Sequence, residues 1–99
     1  MIPKIKLDDD LTPEEFIKNN NYDFWCYVID ALKHLTLYPN EESATAFILY
    51  GKKLLTERAY QVDRNRAEET IDKALKFMLE YEEYEKCQEL ENYRKILNK

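Results

Sequence analysis

One glycine and three prolines in 99 residues leave little material for tight turns. Two-residue hairpin turns draw on glycine for positive φ. The single glycine, Gly51, sits in a stretch whose apolar residues have helical spacing. This scarcity predicts a chain that is nearly all helix, and it excludes a glycine-rich phosphate cradle. One histidine and two distant cysteines exclude a cysteine–histidine metal cluster. No apolar run approaches the roughly 20 residues of a membrane span. Residues 1–7 lack the apolar stretch and small-residue cleavage site of a signal peptide. Cys26 and Cys87 lie among apolar residues, which predicts buried, reduced thiols in a cytoplasmic protein.

An excess of basic charge is missing too. Fifteen Lys and Arg stand against twenty Asp and Glu, a net charge of −5. That balance argues against general binding to nucleic-acid phosphates or to an anionic membrane. Nucleic acid is therefore expected only through a complex. The balance leaves room for a protein partner with a basic surface, or for an acidic mimic of nucleic acid.

What is present suits one small core. Hydrophobic residues make up 44% of the chain, enough for a single domain of this length. Residues 1–11 read as an N-terminal arm and 12–99 as a single helical-bundle domain. Thr12, Pro13 and Glu15 spell an N-cap, a first-turn proline and a capping box. The short helix they start is broken by Asn19-Asn20-Asn21. A second helix spans about 22–35, ended by Tyr38-Pro39. Asn40 reads as the cap of a third helix, with Glu41 and Glu42 in its first turn. Ala44, Phe47, Ile48, Gly51, Leu54, Leu55, Ala59 and Val62 supply its apolar face. Asn65 with Glu68 opens a fourth helix, and Tyr84 to Leu97 form a fifth. The expected fold is all-α, a small bundle of four main helices plus a short N-terminal one.

The last thirty residues carry a resemblance. Glu83-Tyr84-Glu85-Lys86-Cys87-Gln88-Glu89-Leu90, after an amphipathic helix containing Ala74, resembles the UVR motif. That motif is a helical hairpin used for protein–protein contact. The family has alanines where this chain has Cys87 and Gln88, and an arginine where it has Glu91.

Few groups could carry chemistry. Asp23, Asp30 and His34 share one helical stripe, which suits an exposed face with a histidine near a helix C-terminus. Glu69 and Asp72 make half of the carboxylate signature of all-helical nucleotide pyrophosphohydrolases, without the upstream half. Cys26 stands too far from His34 for a nucleophile–base pair. Lys52, Lys53, Arg58, Arg64 and Arg66 form a basic corner near Tyr50 and Tyr60. Tyr81, Glu82, Glu83 and Tyr84 form an acidic, tyrosine-bearing tip between the last two helices.

The expected function is a non-enzymatic protein-binding module without cofactor or metal, working through Tyr81, Glu82, Glu83 and Tyr84. A short, acidic, tyrosine-rich chain of this kind fits a phage or mobile-element protein that inhibits a host enzyme or defence nuclease. One alternative is an acidic nucleic-acid mimic, or a nucleic-acid binder using the basic corner. Another is a degenerate metal-dependent nucleotide pyrophosphohydrolase.

Overall fold

The computed structural model describes residues 2–8 and 10–98. The elements run β1 (Lys4–Lys6), α1 (Pro13–Asn19), α2 (Asn21–Leu37), β2 (Ser43–Tyr50) and β3 (Arg58–Asp63). A 3-10 turn (Arg64–Arg66), α3 (Ala67–Glu80) and α4 (Tyr84–Leu97) complete them. The all-α bundle expected from the sequence is wrong. The fold is α/β, with a three-stranded sheet ordered β1-β2-β3.

The helices form where caps and periodicity demand them. The Thr12 hydroxyl accepts the Glu15 N–H, and the Glu15 carboxylate accepts the Thr12 N–H, both at 3.2 Å. Asn20 separates α1 from α2, as the asparagine run implies. In α3 the buried residues Ala67, Ile71, Ala74 and Met78 recur at one helical face. The start of α3 departs from expectation. No side chain caps it, and the 3-10 turn leads into it instead of an Asn65–Glu68 capping box.

The expected third helix is two strands. β2 pairs antiparallel with β3, and β1 lies parallel to β2 on its other side. Asn40 therefore caps nothing, and Glu41 and Glu42 lie in the connection from α2. A bulge between Thr45 and Phe47 puts an extra residue into β2. Its buried positions become Ala44, Ala46, Phe47 and Leu49. A strand normally buries every second residue. The bulge leaves 44 and 47, and 46 and 49, three apart, which imitates a helical face.

Glycine scarcity misleads for a related reason. The β2–β3 connection spans residues 51–57, so it needs no two-residue turn. Gly51 does not have positive φ. Its special quality is closeness: a Cβ there would stand 3.1 Å from the Leu7 carbonyl oxygen. The tight neighbour is the chain just after β1, not another helix.

The core centres on Phe47, which is fully buried. Around it lie the rings of Tyr60 at 4.7 Å, Tyr27 at 5.5 Å, Phe24 at 5.8 Å and Phe16 at 6.4 Å between centroids. α2 lies on β2, and α3 and α4 pack against α2 and each other. The thinnest dimension is 20 Å, one sheet layer plus one helix layer. The far face of the sheet is correspondingly bare. Lys4, Lys6, Tyr50, Ala59 and Gln61 are exposed there, with Thr45 and Ile48 half-buried.

Candidate functional site

The α3–α4 turn is built by a helix C-cap in which Glu82 occupies the left-handed position, at φ 57°. The Glu83 N–H donates to the Met78 carbonyl at 2.9 Å, and the Glu82 N–H to Leu79 at 3.0 Å. This is the Schellman pattern, whose left-handed residue is usually glycine. Glutamate there holds a conformation that costs about 1–2 kcal/mol for a residue with a Cβ.

Three large side chains surround this residue and face solvent. Leu79 is 56% exposed, Tyr81 55% and Tyr84 65%. Tyr81 leans on Phe77 and Tyr22, with ring centroids 4.7 and 5.6 Å away. Glu83 is not free: its carboxylate accepts the Tyr22 hydroxyl at 2.7 Å. That bond, with some burial, pushes the Tyr22 pKa well above its ordinary value, because the hydroxyl must keep its proton to donate. Of the four tip residues expected from sequence, Tyr81, Glu82 and Tyr84 present themselves outward, and Glu83 ties α2 to the tip. Leu79 belongs with them, one residue beyond the buried Met78. Beside Tyr81, a cleft of about 350 Å³ is lined by Lys18 to Asp23.

The basic corner does not hold together. Arg64 Nε donates to the Glu41 carbonyl at 2.7 Å, and Nη2 donates to Leu35 at 2.8 Å and Tyr38 at 2.9 Å. Its guanidinium closes the C-terminal end of α2. Arg66 lies exposed at the start of α3. Arg58 starts β3, 3.9 Å from Glu14. Lys52 and Lys53 remain exposed in the 51–57 connection. Sequence reading missed their real companions, Lys4 and Lys6 of β1. Lys4 Nζ sits 5.9 Å over the Tyr50 ring and 2.9 Å from Glu57. Only the strand pairing, not sequence proximity, brings these lysines to Tyr50.

The Asp23, Asp30 and His34 stripe also divides. Asp30 and His34 line a cleft of about 550 Å³ with Glu41, while Asp23 borders the cleft beside Tyr81. His34 Nε2 lies 2.8 Å from Glu41, not bonded to Asp30, and its ring stacks on Tyr38. Asp72 is held by Arg94, which also bonds Glu68 at 2.8 Å, so it fastens α4 to α3. Burial pushes the pKa of both thiols up, which keeps Cys26 and Cys87 protonated and poorly nucleophilic near neutral pH. Among the described residues no three Asp, Glu, His or Cys side chains converge as a metal site. No described helix is long and apolar enough to cross a membrane.

The last two helices, α3 and α4, pack as a hairpin. The chain as a whole matches no family model, no curated protein and no solved structure.

Proposed function

We propose that this protein is a non-enzymatic protein-binding module that docks through the α3–α4 turn. The observation that carries this reading is the turn itself. Leu79, Tyr81 and Tyr84 expose apolar surface around Glu82, which holds a backbone position better suited to glycine. Such positions are kept where the side chain has work to do. Tyrosine offers large contact area at low entropic cost, and interfaces are enriched in it. Glu80, Glu82 and Glu85 are exposed at the rim, which suits a partner with a basic surface. On this reading the protein acts in the cytoplasm, as an inhibitor encoded by a phage or mobile element and aimed at a host enzyme.

The test compares wild-type protein with the Leu79→Ser/Tyr84→Ser variant as bait in quantitative capture from host lysate. Neither side chain is buried, so the variant is expected to fold. The partner should fall at least tenfold in the variant. With the purified partner, Glu82→Lys should slow association, more at low salt than at high. Equal capture by both baits would move the contact away from this turn.

A further inference from the structure

We propose that the bare face of the sheet, at its Tyr50 end, binds single-stranded DNA. This surface is separate from the α3–α4 turn and stands or falls independently of it. Its geometry comes from strand pairing. Register sets Lys6 beside Tyr50 and Lys4 beside Ile48. The chain leaves β2 through Gly51 and folds Leu54 and Leu55 back toward the same end. Between them lies a groove of about 400 Å³ lined by Lys6, Tyr50, Lys52, Leu54 and Leu55. That volume holds a nucleobase with room to spare.

Each wall has a use. The Tyr50 ring is exposed with Lys4 Nζ 5.9 Å over it, and a base stacked there, whatever its identity, shares the ring with that cation. Leu55 is fully exposed, an apolar side chain offered to solvent beside an exposed tyrosine. Leucines opposite the ring suit the thymine methyl group. Lys6, Lys52 and Lys53 are exposed, and among the described residues none of them forms an ion pair. Lys6 and Lys52 line the groove, and Lys53 follows Lys52 in the same connection, so all three can meet the phosphates of a bound strand. Thr56 and Tyr50 each bring a side-chain hydroxyl to the groove, and the Glu57 carboxylate is engaged by Lys4. Contact with the thymine methyl, which uracil lacks, favours DNA over RNA.

The net charge of −5 does not prevent this, because six of the acidic residues lie on other elements. Glu80, Glu82, Glu83, Glu85, Glu89 and Glu91 lie along the α3–α4 turn and α4, on the helical layer. Asp8 and Asp10 follow β1 more closely and reduce the local excess. Binding is accordingly weak, short-site and strongly salt-dependent.

The experiment is fluorescence anisotropy with a labelled twelve-nucleotide dT oligomer. A Kd in the micromolar range is expected at 50 mM salt. Three lysine–phosphate contacts predict a log–log salt slope of about −2 for a single strand. Tyr50→Ala should weaken binding roughly 5- to 150-fold, with Tyr50→Phe restoring it. Lys6→Glu/Lys52→Glu should abolish it. Circular dichroism melts check that each variant is folded. Three results would overturn the proposal: no binding at 100 μM protein in 50 mM salt, equal binding by the Tyr50 and lysine variants, or displacement by a poly-glutamate peptide as effective as by unlabelled dT. Tighter binding to a twelve-nucleotide U oligomer would overturn the choice of DNA.

Discussion

At the scale of single residues, Glu82 is the clearest case of local preference set aside. Its neighbours make both Schellman hydrogen bonds, so the backbone needs a left-handed residue there. Glycine would adopt that conformation without steric cost. Glu82→Gly should therefore raise stability by about 1 kcal/mol, or roughly 4–8 °C in Tm for a domain of this size. Differential scanning calorimetry checks it. The same variant should bind the partner less well, since it deletes a carboxylate from the rim. A lower Tm would mean that the Glu82 side chain contributes more to the fold than its exposure suggests. Phe47 is the opposite case, a residue whose type and position agree. Its neighbourhood of four aromatic rings draws on α1, α2 and β3 at once.

At the scale of elements, the C-terminal end of α2 depends on a residue more than twenty positions away. Arg64 satisfies three carbonyls with one guanidinium, on a helix end where a cation is also favoured. Arg64→Met keeps the length of the side chain and removes every donor. It should cost about 2–3 kcal/mol, read as a lower urea midpoint at unchanged slope. Arg64→Lys should recover only part of this, because an ammonium lacks the fork that reaches several carbonyls. The role was invisible in sequence, where Arg64 reads as one of a basic group. Helices α1, α2, α3 and α4 were legible, because Thr12 to Glu15, the asparagine run and the Ala67-to-Met78 face are local signals. The sheet was not. The bulge at Ala46 gives β2 helical spacing, and the long 51–57 connection removes the usual turn signature. Composition held the missed clue. Thr45, Phe47, Ile48, Tyr50, Tyr60 and Val62 are β-branched or aromatic residues, which favour strands. The tip was legible as a short polar break between two amphipathic helices. The Tyr50 groove was not, because its lysines come from β1.

At the scale of the whole molecule, β1 is expected to join the sheet last. Its partners Ile48 to Tyr50 lie more than forty residues away in sequence, and a parallel pair needs the intervening crossover to form. The helical hairpin and the β2–β3 pair are local by comparison. Ile5→Ala, at a half-buried position on the core side of β1, should cost up to about 2 kcal/mol. Nearly all of that should appear as faster unfolding, with the folding limb of the chevron unmoved. A folding rate slowed in proportion to the lost stability would place β1 in the transition state. The same geometry has a consequence on the ribosome. Translation at about 5–20 residues per second delivers β1 roughly 2–10 s before its partner strand. For that interval Ile5 and Leu7 travel without the surface that will cover them, and the nascent chain offers an unpaired strand to any chaperone waiting at the tunnel exit.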